Sequence, residues 1–179
     1  PQLDGFGARV AFDERGVVIR DGVAQFYGNP VAFEASGQKD GAVGVTLSGT
    51  LEAARLRGAV QHPLLRFLDG QAAWRGSVEL RNKVPTLRIE SDLAGLASSL
   101  PEPFGKPASA VLPLRFELRE RAPRQQLLDA TLGSVASTQL LLDATVPGGV
   151  RRGQVRLGAG ASTLPARDAF LRGRAEARP

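Results

Sequence analysis

A chain of 179 residues with no cysteine has no thiolate nucleophile, no thiolate metal ligand and no disulfide to offer. Its single histidine, His62, would have to anchor any Ser-His-Asp triad or histidine-ligated metal. It stands before Pro63 in an apolar helical stretch, where a turn residue bonded to local backbone is expected. There is no Gly-x-Ser-x-Gly elbow and no phosphate loop ending in Gly-Lys-Ser or Gly-Lys-Thr. Gly158-Ala159-Gly160 begins like a dinucleotide loop but lacks the third glycine and a βαβ setting. The carboxylates Glu79, Glu90 and Glu117 alternate with apolar residues. Alternation could bring two of them onto one sheet face as an acid–base pair, but the pattern is that of a solvated exterior. Calcium loops and zinc spacings are missing. We therefore expect no enzyme, no cofactor and no metal.

The net charge of +5 and pI near 10.6 raise anionic partners. Lys39, Lys83 and Lys106 are the only lysines, and the arginines mostly alternate with apolar residues instead of clustering. With few aromatics to stack on bases, the excess reads as a solvated sheet face, and no nucleic-acid partner is expected. The chain starts at Pro1 and contains no methionine, so a processed or excised piece of a longer protein is expected. No run approaches the roughly 20 apolar residues that span a bilayer.

The elements that must carry any site are mostly strands. Glycine (21) and proline (12) are plentiful, as in turn-rich β architecture. Asp21-Gly22, flanked by Val17–Arg20 and Val23–Tyr27, predicts a two-residue hairpin turn with Val17, Ile19, Ala24 and Phe26 on one apolar face. Ala42–Ser48 reads as a strand with Val43, Val45 and Leu47 on one side. Thr50 and Glu52 then suggest a helix start, with Leu56 and Val60 at helical spacing. Pro63 opens a second short turn over Leu64–Leu68. Trp74–Arg81 puts Trp74, Val78 and Leu80 on one face, and Leu87 and Ile89 continue it. Leu112, Leu114, Phe116 and Leu118 alternate with Pro113, Arg115, Glu117 and Arg119, with Pro113 favouring an edge or bulge. Gln126–Leu132, Thr138–Val146 and Arg151–Gly158 add three more strands. Residues 159–179 read as a loosely ordered tail on one domain spanning 1–179. A sheet with one apolar face must cover it, and the short helices look insufficient. The remainder could be a sandwich interior, a protein interface or a trough for acyl chains.

Between two of these strands lies Ser91–Pro107, SDLAGLASSLPEPFGKP. Ser91 or Asp92 can cap a helix, Leu93, Leu96 and Leu100 fall at helical spacing, and Pro101 ends it. A short apolar plug helix is the expectation.

This run, followed by LPLRF and preceded by HPLLRFLDGQAAWRGSVEL, resembles the central region of the AsmA-like envelope proteins of the YhdP type. The resemblance covers about Thr46 to Glu117. It implies a slice of a long periplasmic protein, held in the inner membrane by a helix outside this chain. Its lipid-carrying β-groove would move phospholipid between inner and outer membranes. The fold expected is mainly β with a few short helices: a curved antiparallel sheet, half open, with the helices packed at its edge. Leu112, Leu114, Phe116 and Leu118 are the first candidates for the groove wall, then Val78, Leu80, Leu87 and Ile89. Leu93, Leu96 and Leu100 would rim or plug it. The partners implied are phospholipid acyl chains and adjacent segments of the same parent chain, with self-association through exposed strand edges. The alternative is a non-enzymatic structural or protein-interaction module of the envelope.

Overall fold

A computed structural model describes residues 3–13, 16–37, 41–81 and 84–164. Eleven strands make one antiparallel sheet: β1 Leu3–Asp13, β2 Gly16–Phe26, β3 Asn29–Gly37, β4 Val43–Glu52, β5 Leu68–Arg81, β6 Val84–Ser91, β7 Leu96–Ser98, β8 Leu114–Ala122, β9 Gln125–Leu132, β10 Ala136–Asp143 and β11 Val150–Leu157. Their order is β1-β2-β3-β4-β5-β6-β8-β9-β10-β11, with β7 added to the start of β5. Neither β1 nor β11 finds a second strand among the described residues, so the sheet is open. Near-consecutive pairing follows from short turns between alternating runs.

Helix α1, Ala53–Ala59, and a 3₁₀ turn, Pro63–Phe67, link β4 to β5 and pack where these two strands end. Thr50 is not the cap. It pairs with Ala73 inside β4, and Glu52 occupies the N-cap without a side-chain cap bond. Arg55 Nε donates to Glu52 Oε2 at 2.8 Å and Arg55 Nη1 to the Gly28 carbonyl at 2.5 Å, tying the helix to the β2–β3 turn. Pro63 opens the 3₁₀ turn, and His62 Nδ1 accepts the Leu64 amide at 3.3 Å, the local backbone role expected of it.

The Asp21-Gly22 hairpin does not form. β2 runs straight through it, and the register against β3 slips between Ile19 and Gly22, so Arg20 and Asp21 together oppose Glu34. Asp21 takes φ 52°, the mark of a bulge. Glycine is required at position 22 for room: a Cβ there would sit 2.6 Å from the Phe33 ring and from the Phe33 carbonyl. The hairpin turn is instead Tyr27-Gly28, with φ 48° and 72° between the paired Phe26 and Asn29. The buried Asn29 side chain holds it, donating to the Tyr27 carbonyl at 3.1 Å and accepting the Glu52 amide at 3.0 Å. A two-residue turn and a one-residue bulge change the alternation alike, so Ile19, Ala24 and Phe26 still share a face.

Among the described residues the sheet is a single layer. Its accessible surface is 12545 Å² for 18.9 kDa, against about 8,300 Å² for a compact folded chain of that mass. The buried apolar side chains are few and several are small: Ala24, Val31, Ala53, Ala72, Leu127 and Leu141.

Candidate functional site

Register carries one apolar row across nine strands: Ile19, Ala35, Val45, Val78, Leu87, Leu118, Leu128, Leu140 and Gly153. At roughly 4.8 Å per strand it is about 40 Å wide. The next row runs Phe33, Leu47, Gly76, then Ile89, Phe116, Ala130, Thr138 and Val155. Thr138 spends its hydroxyl on the Gln154 carbonyl at 3.0 Å, leaving its methyl to the surface. Trp74 lies on this face between Gly49 and Gly76, where a Cβ would come 3.2 to 3.3 Å from the indole. Phe26 meets it edge-on at 6.4 Å. No second sheet, and no helix beyond the seven residues of α1, exists among the described residues to cover this face. Ile89, Phe116 and Leu118 stay half-buried, and Val155 and Leu157 at the β11 edge are exposed.

The opposite face of the same strands is a charge ladder. Arg88 bridges Glu79 (3.2 Å) and Glu117 (3.0 Å), and Arg119 bridges Glu117 (2.8 Å) and Asp129 (3.4 Å). Arg115 faces Glu90 at 3.5 Å. The bond from Glu117, with its charge and that of Glu79, raises the Arg88 guanidinium further above its already high value. The carboxylates that could have formed an acid–base pair are thus consumed by arginines. Asp143 is the buried exception, at 2% exposure. It accepts the Thr145 hydroxyl at 2.6 Å, the Thr145 amide at 2.9 Å, Gln125 Nε2 at 3.0 Å and Arg151 Nη1 at 3.1 Å. The Thr145 bonds, aided by Arg151 and Gln125, hold its carboxyl far below the usual carboxylate range.

Val78, Leu80, Leu87, Ile89, Leu114, Phe116 and Leu118 fall on the apolar face together. Leu112 lies outside the strand: β8 begins at Leu114, and the Leu112 amide donates to the Asp92 carbonyl before the strand starts. The plug helix of Leu93, Leu96 and Leu100 is also overturned. Ser91 Oγ and Asp92 Oδ1 take the amides of Leu93 and Ala94 at 3.0 Å each, closing tight turns where a helix would have begun. Leu93 (φ 52°) and Gly95 (φ 89°) then reverse the chain into β7. β7 pairs with Leu68–Gly70 while Ser98 pairs with Lys106, so the segment lengthens the β6–β8 hairpin past the sheet's rim. Lys106 Nζ locks it, donating to the carbonyls of Leu93 (2.8 Å), Leu96 and Pro107 (3.2 Å).

Sequence reasoning left out Val31 and Phe33 on β3, and Leu128 and Leu140 on β9 and β10. The first pair was legible as alternation. The second was hidden in Leu127-Leu128 and Leu140-Leu141-Leu142, where adjacent leucines erase the period of two. At the chain's end, residues 159–164 dock on the polar face. Ser162 is buried against Ser137 (2.9 Å between hydroxyls), and the amides of Thr163 and Leu164 reach Gln154 and Gln139. The remainder of the expected loose tail, 165–179, lies outside the described residues.

Fold and surface define a class before they define a family: an open antiparallel wall, polar on one side, with a broad apolar side that the described elements leave uncovered. The YhdP protein family matches residues 1–178, and the chain belongs to that family. Comparison with curated proteins and with solved structures finds no match.

Proposed function

We propose that this chain is a non-enzymatic segment of a periplasmic, bridge-like lipid-transfer protein whose parent is anchored in the inner membrane by a helix outside this chain. Phospholipid acyl chains travel along its apolar face between inner and outer membranes. The observation that carries this reading is the row from Ile19 to Leu140, continuous over eight strands without a covering layer. Acyl chains ask only for dry surface, and each methylene withdrawn from water contributes about 0.8 kcal/mol. Several carbons on such a wall hold a lipid without a dedicated pocket, and weak repeated contact suits passage along a path. Membership of the YhdP family supports the same reading. In-vivo photocrosslinking tests it. Probes at Phe116 and Leu114 should yield phospholipid adducts, while a probe at Arg115, on the opposite face of the same strand, should not. Adducts at neither apolar position, or equally at Arg115, would remove the groove from this face.

A second reading rests on the unpaired edges of β1 and β11. Open ladders accept further strands, from adjacent segments of the parent chain or from another copy, which would make this an assembly module of the envelope. Native mass spectrometry separates the two: phospholipid bound to the purified chain favours the carrier, a defined lipid-free oligomer the module.

A further inference from the structure

The apolar face changes character at one end of β8–β11. Below the row Leu118, Leu128, Leu140, the next residues on that face are Glu120, Gln126 and Leu142, in register with one another and with Val150. They line a concavity of about 630 Å³ that Arg124, Gly148-Gly149 and the already bonded Asp143 also line. Leu142 and Val150 continue the wall into it, while Glu120, Gln126 and Arg124 make the rest of the lining polar. Arg124 sits in the β8–β9 turn at φ 66° after Pro123, and its backbone carbonyl is pinned by the Ala144 amide at 3.2 Å. Among the described residues the guanidinium has no partner, and neither does the Glu120 carboxylate, whereas seven other arginines are in ion pairs. Nothing lies within 4 Å of where a Cβ on Gly148 or Gly149 would project, so the concavity stays open there.

A cation and an anion unpaired among the described residues, beside a polar amide at the end of the apolar wall, complement a ligand that carries both charges on an apolar body. We propose that this concavity holds the headgroup of a zwitterionic phospholipid, the phosphate on Arg124 and the ammonium on Glu120, which Gln126 faces across the strands; this rests on the carrier reading above. Arginine suits the phosphate because its planar fork gives two parallel donors, and a carboxylate beside it disfavours a purely anionic headgroup. A lipid seated here would have its acyl chains directed along Leu118, Leu128 and Leu140, so the concavity serves as a station at one end of the wall.

The test titrates the purified chain with dihexanoyl phosphatidylethanolamine, dihexanoyl phosphatidylglycerol and soluble O-phosphoethanolamine, the lipids below their micelle concentrations. Binding is read from the backbone amide signals of Gln126, Gly148 and Gly149. The ethanolamine lipid should move these signals and bind about fivefold more tightly than the glycerol lipid, the scale of one partly exposed ion pair. Glu120→Gln should abolish that preference, and Arg124→Gln should weaken both lipids by about fivefold. O-phosphoethanolamine binding as tightly as the lipid would overturn the assignment in favour of a soluble phosphate. Equal binding of both lipids at Phe116 and Leu118, indifferent to either substitution, would remove the headgroup site and leave the carrier standing. Binding of neither lipid anywhere would bring down both.

Discussion

Arg115 and Phe116 are neighbours in β8, yet they belong to surfaces held together in opposite ways. On the polar face, beside the buried Leu127 and Leu141, the charged residues meet as directed pairs: Arg88 with Glu79 and Glu117, Arg119 with Glu117 and Asp129. These pairs are solvated, and exposed pairs of this kind are worth about 0.2 to 1 kcal/mol each. On the apolar face directed bonds are rare, that of Thr138 to the Gln154 carbonyl among them, and side chains stand shoulder to shoulder across strands, each pair contributing roughly 0.2 to 1 kcal/mol. An ordinary domain would add a second layer and bury that face. Among the described residues the sheet stops at one layer, and the face keeps the half-exposure that a guest could remove. What the contrast teaches is that the ladder can register strands without covering them, so the other side is free to remain a surface.

The largest blow to this contrast should come from Leu118→Asp. It places a charge in the middle of the nine-strand apolar row, and we expect a loss of about 2 to 3 kcal/mol in urea denaturation together with loss of lipid adducts at Phe116. If Leu118→Asp were as stable as the parent chain, the apolar face would be irrelevant to the fold.

Asp143 is a smaller probe, on the side where polarity dominates. Its folded carboxyl is held below the ordinary value of 3.8. The stability it adds is therefore present above about pH 4 and is lost as pH falls from there towards the folded value. Asp143→Asn should lower stability at neutral pH and flatten the acid limb of the curve, measured by denaturation from pH 7 to 2. An unchanged acid limb would show that the bonds from Thr145, Gln125 and Arg151 do not persist in solution.

Arg88→Ala should have the smallest effect, well under that of Leu118→Asp, because both its ion pairs are solvated. Debye screening falls to about 3 Å at 1 M salt, so the difference from the parent chain should shrink between 0.01 M and 1 M salt. A salt-independent loss would mean that the ladder acts by packing of the arginine stem and not by charge.

Much of this protein was legible in single strands. Trp74–Arg81 and Leu114–Arg119 announce their faces because a residue that must be apolar on one side and wet on the other alternates, and no longer-range information is needed to read it. What failed were the places where local chemistry admits two answers. Asp21-Gly22 has the composition of a hairpin turn, but the glycine is there to let Phe33 cross, a fact that belongs to β3. Ser91–Leu100 has helical spacing, yet the side chains of Ser91 and Asp92 capture the first amides, and the rim of β5 offers Leu68–Gly70 as a strand partner for Leu96–Ser98.

The sequence by itself determined most of the strands, which of their sides are apolar, and that no thiol or nucleophile elbow is present, because alternation and residue type are local properties. Only the tertiary structure decided that these sides align into one uninterrupted face, that no second layer covers it among the described residues, and that Glu120 and Arg124 line one concavity at its end. Register and coverage depend on which strand lies beside which, and that is set by bulges and turns whose reasons lie on other strands.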